Sequence, residues 1–115
     1  MAFRGTRNIK NWVFTNANID MEKYGCKGCK VHEGFRNLYL GMKEQIILYV
    51  RSLKAFYSDA LIVVTGHSLG GAMATLAAYD LRKLFMPIEL INFGSPRVGN
   101  KEFAAAFNTL FRPSP

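Results

Sequence analysis

Leu61-Ile62-Val63-Val64-Thr65-Gly66-His67-Ser68-Leu69-Gly70-Gly71-Ala72 joins a β-branched apolar run to a glycine-flanked serine and then to a helical pattern. Leu61 to Thr65 shows no polar alternation, which predicts a strand buried on both faces of a parallel sheet. Gly66-His67-Ser68-Leu69-Gly70 fits G-x-S-x-G, and its place between that strand and a helix opening near Gly70 is the context in which the motif holds a nucleophile. Without that placement the match would be modest evidence, because Gly and Ser are common residues. A serine on such a turn stands proud of the sheet. The glycines are needed because a Cβ at either position would collide with the neighbouring strand and helix. The positive end of the following helix points at Ser68, and the first free N–H, on Leu69, is placed to hold an oxyanion.

Outward from this turn the pattern alternates. Phe35, Leu38, Met42, Ile46, Val50 and Leu53 recur at helical spacing between Gly34 and Phe56, and Tyr57-Ser58-Asp59 ends that helix. Met73, Leu76, Ala77, Leu81 and Leu84 give a second helix over Gly70 to Leu84, stopped by Pro87. Ile88 to Phe93 reads as another strand buried on both faces, and Asn100 as the cap of a last helix whose apolar face is Phe103, Phe107 and Leu110. Upstream, Met1 to Arg4 resembles the end of a strand, and Gly5 to Lys30 reads as a long loop carrying one helical turn around Trp12. The succession is that of an α/β domain with right-handed crossovers: a mostly parallel sheet flanked by helices, incomplete at both ends.

The whole sequence is 115 residues, half of them hydrophobic. That places it among globular chains of at most one domain, without repeats or linkers. Fifteen Lys and Arg against eight Asp and Glu give +7. The charges are scattered, with no run longer than Arg82-Lys83, so a solvated surface is favoured over an anionic-lipid patch, and no nucleic-acid motif is present. No stretch reaches the roughly 20 apolar residues of a transmembrane segment. Residues 1 to 15 lack the apolar region of a secretory signal, which leaves the compartment open to a signal upstream of Met1. Cys26 and Cys29 form C-x-x-C, which suits a local disulfide, two reduced thiols, or redox or metal chemistry. Zinc fits worst, because His32 and His67 are the only histidines. A short disulfide would accord with a secreted enzyme. The sequence suggests no metal, nucleotide or organic cofactor and does not address oligomeric state.

Four blocks in order resemble the class 3, fungal-lipase-like family of α/β-hydrolases: Ala2-Phe3-Arg4-Gly5-Thr6 ahead of Asn11-Trp12, Val31-His32-Glu33-Gly34-Phe35, Gly66 to Ala72, and Phe93-Gly94-Ser95-Pro96-Arg97-Val98-Gly99-Asn100. The resemblance spans nearly the whole chain. It implies a carboxylic ester hydrolase acting on lipid esters at a lipid–water interface in lipid metabolism, with Ser68 as the acylated nucleophile. Thr6 would join Leu69 in the oxyanion hole, and Gly66, His67 and Gly70 would build the nucleophile elbow. Ile9, Trp12 and Val13 would begin a lid, and His32 would be structural. His67 itself is expected to serve beneath the elbow as a hydrogen-bonding residue.

The family supplies its triad in the order Ser, Asp, His, and both later members are expected beyond Pro115. Asp80 lies about 18 Å along the helix from Ser68 at 1.5 Å per residue, and Asp59 lies at the wrong end of the sheet. Two other readings stand beside the lipase: a catalytically incomplete module that binds lipid surfaces or partners, and a feruloyl-type esterase.

Overall fold

The computed structural model describes residues 1–5 and 20–112. The sheet has three strands, β1 (Ala2–Phe3), β4 (Ile62–His67) and β5 (Ile88–Phe93), in the order β1-β4-β5. All pairings are parallel, with Ala2 opposite Thr65 and Ile62 opposite Ile88. Between them run α1 (Glu33–Phe56) and α2 (Leu69–Leu84), and α3 (Lys101–Phe111) follows β5. Both crossovers move across the sheet in the same direction, so right-handedness puts α1 and α2 on the same face.

Within the described residues that one-sided winding covers one face of the two strands expected to be buried on both. Ile62, Val64 and Gly66 face the helices and are buried, whereas His67 on the other face is exposed. In β5 only Ile88 is buried, and Glu89, Ile91 and Phe93 are exposed because no described element covers their face. The unbroken β-branched composition of β4 carries no record of which side is covered.

The central helix α2 is enclosed by the sheet, α1 and α3, and nearly every residue from Gly70 to Leu81 is buried. Ala72, Ala74, Ala77 and Ala78 keep it thin enough for that close approach, while Leu76, Tyr79 and Leu81 fill the space between layers. On α1 the buried stripe is Phe35, Tyr39, Ile46 and Val50.

The described part of the segment read as a loop is instead an antiparallel hairpin, β2 (Met21–Lys23) with β3 (Lys30–His32). Gly25 and Gly28 turn it with φ of 82° and 79°, and Cys26 and Cys29 face each other within the turn, their Cα atoms 5.0 Å apart, within the span of a disulfide. The hairpin is docked by the backbone bond from His32 N to Val98 O (2.8 Å) and by Asn100. The Asn100 side chain accepts from Phe103 N at 2.9 Å, capping α3, and donates to Gly28 O at 2.9 Å. One residue thus starts a helix and holds a hairpin against it.

Candidate active site

β4 ends at His67, α2 begins at Leu69, and Ser68 between them has φ 54° and ψ −119°. A positive φ at a residue with a Cβ costs on the order of 1–3 kcal/mol and persists only where the surroundings impose it. Here main chain packs on main chain. A methyl on Gly66 would overlap the Gly70 carbonyl, one on Gly70 would overlap the Phe3 carbonyl, and one on Gly5 would run into the His67 carbonyl. The end of β1, the end of β4 and the first turn of α2 therefore touch through atoms that no other residue type would leave room for.

Hydrogen bonds fix the turn from both sides. Ser68 N donates to Phe93 O, the last residue of β5, at 2.9 Å, and Ala72 N donates to Ser68 O at 3.1 Å. The Ser68 amide is therefore occupied, and the helix ladder starts at Ala72. The N–H groups of Leu69, Gly70 and Gly71 precede that ladder, at the positive end of the α2 dipole. Among the described residues none offers the Ser68 hydroxyl a hydrogen bond, and the residue itself is buried.

Neither histidine is placed as its base. The exposed side chain of His67 turns to Gly94, which has φ 57°, and no hydrogen bond ties it to a described residue, so the bonding role expected beneath the elbow is not what these contacts give. His32 caps α1: its Nδ1 accepts from Phe35 N at 3.2 Å, and its ring stacks on Phe35 at 3.9 Å between centroids.

Asp80 belongs to a separate polar cluster toward the far end of α2. The Tyr24 hydroxyl donates to its Oδ2, Lys43 Nζ stands 3.3 Å from the same oxygen, and Lys43 lies over the Tyr24 ring at 5.5 Å. Burial, reinforced by the hydrogen bond to Asp80 and its charge, holds the Tyr24 hydroxyl well above the ordinary tyrosine range, and burial, followed by the charge of Asp80 and the neighbouring Tyr24, does the same to Tyr39. Tyr39 Oη is buried without a hydrogen bond of good geometry among the described residues.

Thr6, Ile9, Trp12 and Val13, expected in the oxyanion hole and lid, lie outside the described residues. A cavity of about 440 Å³ between α2 and α3, lined in part by Thr75, Arg97, Asn100 and Phe107, does not include Ser68. Sequence reasoning assigned no role to the turn after β5. There Phe93 O anchors Ser68, and Ser95 packs so closely on Gly71 that a methyl added to that glycine would sit 3.0 Å from Ser95 Cβ. The glycine directly after the strand was the available signal.

A family model described as Lipase (class 3) matches residues 1–114. The chain belongs to the class 3 lipase family. Among its relatives, the secreted mono- and diacylglycerol lipase 1 of Fusarium solani is 43% identical over 105 residues, covering 90% of this chain and 31% of the relative. The lipase of Rhizomucor miehei is 34% identical, covering 90% of this chain and 30% of its own length. The crystal structure of the mono- and diacylglycerol lipase of Aspergillus oryzae matches with a TM-score of 0.86 at 42% identity, over 95% of this chain and 40% of that one. The native Rhizomucor miehei lipase–propeptide complex matches with a TM-score of 0.89 at 33% identity, over 97% and 38% respectively. The chain thus spans about a third of the length of these curated relatives. The fold is that of the α/β-hydrolases.

Proposed function

We propose that the protein carrying this chain is a secreted serine ester hydrolase acting on acylglycerols, and that residues 1–115 form the nucleophile-bearing part of its single catalytic domain. What carries the reading is the backbone of Ser68, held at positive φ between a parallel strand and the N-terminus of a buried helix. Ser68 Oγ attacks the ester carbonyl carbon as its proton passes to a base. The carbonyl oxygen, now negative, is held by the Leu69 N–H and by Thr6. Collapse of the intermediate expels the alcohol, which takes the proton, and water then frees the acid from the acylated serine. His32 is committed to the α1 cap, His67 points to Gly94 and Asp80 is paired with Lys43, so the base and its acid come from outside these residues. The family resemblance assigns Ile9, Trp12 and Val13 to the lid of such a site. Acylglycerols are favoured because several relatives are named mono- and diacylglycerol lipases, and secretion because they are named secreted and a C-x-x-C disulfide suits an oxidising compartment.

The test is labelling of the full-length protein with a fluorophosphonate. One adduct is expected, on Ser68, absent in Ser68→Ala, which also loses at least about a thousandfold in kcat/KM on an acylglycerol emulsion. An adduct on another residue, or one that survives the substitution, sinks the proposal.

A further inference from the structure

Among the described residues, large apolar side chains are exposed along α1, as at Leu38 and Leu48, on its flank beside β1, at Met42 and Tyr49, and on the open face of the sheet, at Ile91 and Phe93. The last two border positions where an α/β sheet grows, by strands added at its edges and helices laid on its faces. One further group is different. It consists of the turns at the end of the sheet where the strands begin, and lateral growth of a sheet leaves such turns at the surface.

Phe56 is 84% exposed at the end of α1, and Tyr57 and Leu61 follow it in the α1–β4 turn. Leu84 ends α2, and Met86, 65% exposed, stands in the α2–β5 turn. The two turns are drawn together by Lys54, whose ammonium donates to the carbonyls of Ala60 and Met86. Ile62 N also donates to Pro87 O at 3.1 Å. The end of α3 reaches the same pole, since Arg82 Nε donates to Leu110 O at 3.0 Å. Cations gather there from three segments: Arg51 and Lys54 from α1, Arg82 and Lys83 from α2, and Arg112 after α3, with Asp59 and Glu89 as the nearby acids.

We propose that this pole docks on an anionic phospholipid surface, with Phe56, Tyr57, Leu61 and Met86 entering the boundary between headgroups and acyl chains and the surrounding cations meeting the lipid phosphates. Apolar tips ringed by Lys and Arg bind such surfaces through buried apolar area plus attraction to negative headgroups, and long basic side chains keep their charges at the headgroup level. The charge selects the occupant. A second copy of this chain would bring the same cations against one another. The six residues of β4, rising about 3.3 Å each, separate the pole from Ser68 by roughly 20 Å. Docking there leaves the serine end facing away from the membrane, so the pole is an anchor and not the route of substrate entry. The inference stands apart from the hydrolase reading, because binding is measured without turnover.

The experiment is co-sedimentation of the full-length protein with phosphatidylcholine vesicles, with and without phosphatidylserine. The protein is expected to sediment with the anionic vesicles and not with the neutral ones. The paired change Phe56→Ser with Met86→Ser is expected to lower partitioning about tenfold, and Arg51→Glu with Lys83→Glu to lower it at least as much. Leu38→Ser, at a residue 51% exposed near the other end of α1, is the control and keeps wild-type partitioning. Equal sedimentation with neutral vesicles, wild-type partitioning of both polar-end pairs, or loss of binding in the control would overturn the proposal. So would a concentration-dependent dimer that Phe56→Ser with Met86→Ser abolishes while vesicle binding persists. Thermal melting of each variant identifies any change that acts by unfolding; the surviving pair then decides the matter.

Discussion

The two ends of α2 are held in opposite ways. At its start, at Gly70 and Gly71, the helix meets β1 and Gly66 of β4 through bare main chain, and hardly any side chain takes part in the contact. Toward its other end, Asp80 is fixed by side chains reaching in from elsewhere, Tyr24 from the hairpin and Lys43 from α1. The first arrangement aims a backbone and tolerates no added atom. The second ties three elements together through a buried charge and has no geometry that chemistry depends on. A helix can thus serve catalysis at one end and stability at the other, and substitutions should separate the two.

The largest effect is expected from Gly70→Ala. Its methyl would enter the Phe3 carbonyl, so either β1 leaves the sheet or the elbow opens, at a cost above about 3 kcal/mol. Urea unfolding measures it, and a variant as stable as wild type would show that the main chains are not in contact.

Asp80→Asn should lower stability and leave the elbow untouched. The amide keeps an acceptor for Tyr24 but loses the charge facing Lys43, for a loss of about 1.5 kcal/mol. Labelling of Ser68 should be unchanged in rate, and a slowed rate would mean that the two ends of α2 are coupled.

The smallest effect is on pH dependence. Burial and Asp80 raise the pKa of Tyr24 and Tyr39 in the folded protein, so the fold holds their protons more tightly than the unfolded chain does. That contribution is complete below the ordinary tyrosine pKa of about 10 and is lost as pH climbs above it. The melting temperature should therefore fall across that alkaline range, and less steeply in Tyr39→Phe. At neutral pH that variant should differ from wild type by under about 1 kcal/mol, because the hydroxyl it removes has no hydrogen bond of good geometry. An unchanged alkaline slope would mean that Tyr39 ionises as readily in the folded protein as in the unfolded one.

The same contrast explains what the sequence revealed. Glycines crowded around a serine are visible as letters, and the strands and helices on either side follow from apolar spacing. The expected helix over Gly34 to Phe56 begins at Glu33, and Ile88 to Phe93 is a strand as expected. Asp80 gave no such sign: a lone acid in an apolar helix shows neither its partners nor its burial, because Tyr24 and Lys43 lie far away in the chain. The hairpin was missed because strands of three residues are too short to display alternation, and glycine and cysteine between them look like any loop.

One contact at the elbow has a bearing on how such a site is mapped. Ser68 is held to β5 by its own amide and the Phe93 carbonyl, groups that every residue except proline supplies alike. Scanning the turn with alanine removes neither group, so the bond that seats the serine is silent in any survey of side chains. It answers only to chemistry that edits the main chain itself, such as an ester in place of the amide.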